Sequence, residues 1–287
     1  MTEPTTTNLF DYLAWFRGET FEEVRQAVAL YGDELGGELA TYYGKALAGY
    51  DRDPARWLRR YARTRERFMA DRLAGRDGAR VLDCGCGDGS EDLLFALQGA
   101  EVVGIDLKLD RLHLAAARRD RWSREVGREL RIEFLHENLF DLSFDAEFDY
   151  VWVKEAISHI HPLPDFYAWA LRALKPGGEL VITDPNAGRP KTRAVVDALR
   201  EGPLIKTFPH PRTGKPIAYA DERILSIPEL TGGLREAGYR IGETVGFIPG
   251  QTSTPQWLWR SLIRPLSHCQ ILARRFGGEY CVAAIKP

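Results

Sequence analysis

The chain has 287 residues, 44% hydrophobic and 28% charged, with a formal net charge of −2. That balance fits one large globular domain or about two ordinary ones, and excludes a disordered, collagenous or coiled-coil chain. No apolar run approaches the roughly 20 residues that span a bilayer. The stretch from Met1 to Asn8 is polar and Thr-rich, with no charged-then-apolar leader, so the expected location is cytoplasmic.

Taken in chain order, the first seventy or so residues read as helical and unusually aromatic, with twelve of the 31 aromatic residues. Trp57, Tyr61, Thr64 and Phe68 fall on one helical face, and Asp53-Pro54 supplies an N-cap followed by a proline at the first helical position. Such a stripe reads as core or as the lining of a ligand pocket. Residues 1–38 carry eight acids and two arginines, whereas residues 52–80 carry ten arginines and four acids. Acids interrupt the basic stretch and the pI is about 6.3, so it reads as a solvated helix face rather than a nucleic-acid surface.

From Arg80 onward, short apolar strands alternate with helices. The expected strands are 80–84, 101–105, 131–136, 148–153 and 179–183, with helices near 91–98, 109–126 and 166–174. This alternation predicts an α/β fold with a doubly wound, mostly parallel sheet covered on both faces. Residues 186–220 are rich in Pro, Gly and basic groups and read as an insertion or lid. A helix over 227–237 ending at Gly238 and strands over 239–247 and 279–286 complete the chain.

The chemistry centres on Val81-Leu82-Asp83-Cys84-Gly85-Cys86-Gly87-Asp88-Gly89-Ser90: an apolar strand, an acid, alternate glycines, then a helix start. Glycine admits positive φ and close ligand approach, and a helix N-terminus offers free N–H groups. Asp106 ends the second strand and can accept both ribose hydroxyls of a nucleoside cofactor. Cys84 and Cys86 form a tight CxC, but no second Cys or His pair lies at zinc spacing, so no metal is expected. With Cys269 and Cys281, the four cysteines are also too few for a disulfide framework.

The DxGxG loop resembles motif I of the class I S-adenosylmethionine-dependent methyltransferases. Glu137–Phe144 (ENLFDLSF) is similar to the family's GDAxxLPF segment, with Asn138 in place of the acid that contacts the adenine amino group. Phe148-Asp149-Tyr150-Val151 through His159 is similar to FDxVxxxxxxHH, and Leu171–Ile182 matches LxxLKPGGxLxI. The resemblance covers about residues 75–187 closely. It implies a seven-stranded Rossmann-like domain over 73–287, an N-terminal helical cap over 1–72, a lid near 186–226 and an amphipathic segment near 255–276.

The implied cofactor is S-adenosyl-L-methionine, held by Asp83, Cys84, Gly85, Cys86, Gly87, Asp106, Leu107, Asn138, Leu139 and Lys154. The loop after the fourth strand should face the methyl group, which makes His159 and Glu155 the candidate bases. Each has a plain structural alternative: a hydrogen-bonded histidine at a helix start, and a charge at a helix N-terminus. Asn186, Tyr42 and Trp57 are candidate contacts for a small, largely apolar acceptor such as a lipid, isoprenoid or other natural product. The segment near 255–276 reads as core packing, a hydrophobic lid or a transient membrane-surface contact, and no nucleic-acid partner is expected. Two rival readings are an NAD-dependent oxidoreductase, disfavoured by the GxGxG spacing, and a non-catalytic cofactor-binding protein. Oligomeric state stays open.

Overall fold

The computed structural model describes residues 1–6, 8–55, 57, 65–247, 257, 261 and 270–287. Its strands are β1 Arg80–Cys84, β2 Glu101–Asp106, β3 Ile132–His136, β4 Phe148–Lys154, β5 Leu174–Pro185, β6 Ile205–Pro209, β7 Pro216–Ala220, β8 Arg240–Phe247 and β9 Glu279–Ile285. The helices are α1 Leu9–Arg25, α2 Ala27–Arg52, α3 Arg65–Leu73, α4 Ser90–Leu97, α5 Leu109–Val126, α6 Leu163–Ala173, α7 Pro190–Leu199, α8 Ile227–Glu236 and α9 Gln270–Phe276. Seven strands form one sheet in the order β3-β2-β1-β4-β5-β9-β8, and β6 and β7 form a separate pair. The chain divides into two compact units, Met1–Gly78 with Cys86–His136, and Ala79–Gly85 with Glu137–Pro287.

In the first unit, Asn8 starts α1 by accepting the Phe10 N–H at 3.0 Å. Helix α2 is broken at Gly32, whose φ of +81° interrupts the helical path. Helix α5 buries Leu112, Leu114, Ala115, Arg118 and Trp122 and stops at left-handed Gly127. Strands β2 and β3 pair in parallel, from Val102 opposite Ile132 to Asp106 opposite His136.

The aromatic N-terminal region packs on itself and on Trp122 of α5. Trp15 and Phe16 meet Trp122 at centroid distances of 6.1 and 5.3 Å, and Phe21 meets Tyr50 and Trp57 at 4.8 and 5.0 Å. Arg17, nearly fully buried, places its guanidinium within 6.0 Å of the Phe16, Phe21, Tyr43 and Trp57 rings. Of the expected stripe, Tyr61 and Thr64 lie outside the described residues, while Trp57 and Phe68 pack inward. Residues 56 and 58–64 of the basic stretch 52–80 lie outside them as well.

In the second unit, β1, β4 and β5 run parallel, β9 is antiparallel to β5, and β8 is antiparallel to β9. Their burial is almost continuous along β4 and β9, as expected of central strands covered on both faces. Helix α8 opens with a capping box: Ser226 Oγ accepts the Glu229 N–H, and the Glu229 carboxylate accepts the Ser226 N–H at 2.7 Å.

Two features depart from the sequence reading. Strand β5 begins at Leu174 rather than Glu179, because Gly177, at φ +77°, bends the strand without ending it, and Gly177 and Gly178 pair with Lys286. The Pro-rich insert is regular structure, a helix and a hairpin. Pro190 sits in the first turn of α7, where no N–H is needed, and Pro209 and Pro216 face each other at the end of a two-stranded ribbon.

Candidate active site

In the first unit, the second half of the glycine loop is tied to the end of β2. Cys86 N–H donates to the Ile105 carbonyl at 3.1 Å, and Gly87 N–H donates to Asp106 Oδ2 at 2.9 Å. Asp106 Oδ1 accepts the Lys108 N–H at 2.8 Å. A Cβ added at Gly87 would meet nothing within 4 Å, and its φ of +57° is left-handed, so the backbone there is bare and approachable. The Leu107 carbonyl lies 3.1 Å from His136 Nε2, which must therefore carry a proton.

The loop is also braced from below by residues that the sequence reading missed. Arg118, fully buried, donates to both carboxylate oxygens of buried Glu23 at 3.1 and 2.9 Å. Its Nη1 donates to the Asp88 carbonyl at 2.9 Å and to Ser90 Oγ at 2.7 Å. Tyr43 and Ser90 share a hydrogen bond between their hydroxyls. Burial opposes the charge on Arg118, but Glu23 and Asp88 outweigh it and hold the guanidinium well above its ordinary pKa. The available signal was a charged residue on the apolar face Ala115–Arg118–Trp122.

In the second unit, Asp83 and Cys84 are buried at the end of β1, and burial followed by the Asp83 charge pushes the Cys84 thiol well up. The Cys84 thiol is a packing group in its neutral form. Gly85 has no room for a side chain: a Cβ would sit 2.7 Å from the Ala156 methyl. Asn138 Oδ1 accepts the Phe140 N–H at 3.4 Å and so starts the short 3₁₀ turn Leu139–Asp141. Two residues of the β6–β7 connection clasp this segment: Arg212 pairs with Glu137 at 2.9 Å, and His210 pairs with Asp141.

Glu155 and His159 share the loop between β4 and α6, as the sequence reading requires. Lys154 ends β4 opposite Thr183, and Glu155 N–H donates to the Thr183 carbonyl at 2.9 Å. Glu155 has φ +52°, a left-handed conformation costing a non-glycine residue about 1–2 kcal/mol. Backbone strain of this kind concentrates at functional loops. His159 is exposed, with Nδ1 3.2 Å from the Ala220 carbonyl.

The expected acceptor contacts fare differently. Asn186 is fully buried, donates to the Arg274 and Gly277 carbonyls at 3.0 and 3.1 Å, and accepts the Gly188 N–H at 2.9 Å. Its amide is engaged in holding the end of β5. Trp57 is packed against Phe21 and Tyr50 rather than presented freely. Tyr42 is 60% exposed with its ring edge-on to Tyr43. Of the segment near 255–276, only Trp257, Ser261 and residues 270–276 are described.

Strand order and the bent glycine loop define a class I, Rossmann-like methyltransferase fold. The family described as "Methyltransferase domain" matches residues 50–243, so the chain belongs to it, in its S-adenosylmethionine-dependent form. A relative from Mycolicibacterium smegmatis, named a probable S-adenosylmethionine-dependent methyltransferase, is 31% identical over 68% of this chain and 63% of its own. The rice protein 24-methylenesterol C-methyltransferase 2 is 36% identical over 44% of this chain and 34% of its own. The chain thus spans between about a third and just under two thirds of these relatives' lengths. Among solved structures, Haemonchus contortus phosphoethanolamine N-methyltransferase 2 bound to S-adenosyl-L-methionine shares the fold at a TM-score of 0.51 and 21% identity. That match covers 77% of this chain and 52% of the other.

Proposed function

We propose that this chain transfers a methyl group from S-adenosyl-L-methionine to carbon or oxygen of a small, largely apolar acceptor. The observation that carries the reading is the junction of Gly87 and Asp106, in which the bare loop backbone is fixed to the strand-two acid. The residues present fit the cofactor. A carboxylate offers about four lone-pair sites, so Asp106 retains capacity for ribose hydroxyls after its two backbone bonds. Asp83, Cys84, Gly85, Cys86 and Leu107 complete the set from motif I and strand two, and Asn138, Leu139 and Lys154 complete it from the later segments.

When bound, the cofactor supplies the sulfonium methyl and the leaving group. The chain's own residues align the acceptor, exclude water and take up a proton where the acceptor loses one. His159 takes that proton at an imidazole nitrogen, and Glu155, presented by its strained backbone, orients the acceptor or serves as a second base. The apolar class of acceptor follows the sterol and erythromycin chemistry named for two relatives, beside others named for phosphoethanolamine. The N-terminal rings, largely committed to one another and to Trp122, lend it little. Helices α1 and α2, within 1–72, serve as a brace for the glycine loop through Glu23 and Tyr43. The insert near 186–226 serves as a lid, and the segment near 255–276 as core packing, as a hydrophobic cover or as a transient membrane-surface contact. A cytoplasmic location is proposed with it; no helix among the described residues is long and apolar enough to cross a membrane.

The test is release of S-adenosylhomocysteine on mixing the chain and cofactor with a panel of sterols, isoprenoids and macrolides, against phosphoethanolamine as a charged control. Turnover restricted to the apolar members supports the reading. Turnover of the charged control alone overturns the acceptor class. Cofactor binding with no transfer to any acceptor supports a non-catalytic binding protein.

A further inference from the structure

We propose that the insert fixes the tautomer of His159: the Ala220 carbonyl holds the proton on Nδ1, leaving Nε2 as the proton-accepting nitrogen. Arg223 is the positioning residue that keeps the loop in register for this. The inference rests on the reading of His159 as a base, and it names the part of the fold that makes the residue one.

A backbone carbonyl can only accept, so a contact of 3.2 Å between His159 Nδ1 and the Ala220 oxygen requires the proton to lie on Nδ1. In the neutral ring the other nitrogen then carries the lone pair. Among the described residues Nε2 has no hydrogen-bond partner, and the side chain is exposed. The nitrogen that must do the chemistry is the unengaged one.

The contact is doubled and then locked. Ala220 N–H donates back to the His159 carbonyl at 2.9 Å, so the two residues are joined through backbone and ring at once. Ala220 is itself buried at the end of β7, where it pairs with Ile205. The next residue, Asp221, donates its N–H to the Leu204 carbonyl at 2.7 Å, and Arg200 Nε donates to the Asp221 carbonyl at 3.1 Å. The accepting oxygen is therefore held by the hairpin base and by the end of α7 as well as by the loop it serves.

Arg223 grips the other side of the same loop. Its Nη2 donates to the Ile157 carbonyl at 3.1 Å and also to the Ile160 carbonyl. These two carbonyls flank His159 in sequence, so one guanidinium sets the path of the loop on both sides of the ring. Burial holds the Arg223 pKa below its ordinary value, while Tyr167 and Asp184 push it back up. Its hydrogen bonds go to the carbonyls on either side of His159, so it sets the path of the loop by geometry.

The experiment is long-range nitrogen–proton correlation on the full chain with ¹⁵N-labelled histidine, at a pH where the ring is neutral, with His159 assigned by its loss in His159→Gln. The expected result is a protonated Nδ1 and an unprotonated Nε2. A proton on Nε2, or an even mixture in the wild-type chain, overturns the proposal. In Arg223→Met the tautomers should mix and kcat should fall by about tenfold with KM for the cofactor unchanged. Arg223→Lys, which preserves a cation and one donor and guards against a failure to fold, should restore most of the Nδ1–H signal. An unchanged tautomer in Arg223→Met would remove Arg223 from the proposal. The nitrogen spectrum needs no turnover. Full activity of His159→Gln would sink the base assignment, and the spectrum alone decides the tautomer.

Discussion

Two arginines each brace a loop, one in each unit, and they do it by opposite means. Arg118, in the first unit, is fully buried and bound to carboxylates at Glu23 and Asp88. Arg223, in the second, is partly buried and bound to two backbone carbonyls. A buried ion pair couples loop shape to the stability of the whole unit, because removing one partner leaves an unpaired charge in low dielectric. A cation on neutral carbonyls fixes a path at a smaller energetic stake. The glycine loop is thus anchored by charge and the His159 loop by geometry, so substitutions should report on stability in one case and on rate in the other.

The sharpest way to break that contrast is Arg118→Met. It should destabilise the chain by about 3–5 kcal/mol in urea titration, and adding Glu23→Leu should recover most of the loss. Equal stability losses in Arg118→Met and Arg223→Met would erase the distinction. On the geometric side, His159→Gln should cut turnover by about 10²–10⁴-fold where the acceptor loses a proton. Cofactor affinity, read by calorimetry, should not change.

A smaller effect should separate strain from chemistry at Glu155. Replacement by Gly relieves the left-handed backbone and should raise stability by about 1 kcal/mol while lowering turnover. A variant that loses stability would show that the side chain contributes more than the strain takes away. The smallest effect is expected away from both anchors, at the α8 cap. Ser226→Ala should cost about 1 kcal/mol at neutral pH. There the Ser226 hydroxyl and then its backbone N–H hold the Glu229 carboxyl below the usual carboxylate range. A depressed carboxyl stabilises the fold above its unfolded pKa of about 4.3 and loses that contribution as pH falls through the folded value. The deficit of Ser226→Ala should therefore narrow in acid, a trend that denaturant titrations at neutral and acidic pH would show.

Much of the sheet is legible in the sequence because its signals are local. The apolar run at 80–84 and the helical period over 109–126 have the same limits in the structure as in the pattern. The insert was not legible as a helix and hairpin, since prolines at 190, 209 and 216 read as breakers until their positions at element ends are known. At the candidate site, the glycines and Asp106 stand out by spacing. The buried role of Asn186 and the bracing by Arg118 depend on partners roughly 90 residues away in the chain, which no window of sequence reports. Ala220 and Arg223 reach His159 and its neighbours by the same kind of distant contact.

The central claim is that the Gly87–Asp106 junction holds S-adenosyl-L-methionine. Calorimetric titration with S-adenosylhomocysteine tests it most directly, comparing the wild-type chain with Gly87→Val and Asp106→Ala. The account predicts saturable binding by the wild type, a loss of about 1.5–3 kcal/mol in Asp106→Ala, and a comparable or greater loss in Gly87→Val. Unchanged affinity in both variants, or binding of NADH in place of S-adenosylhomocysteine, would contradict it.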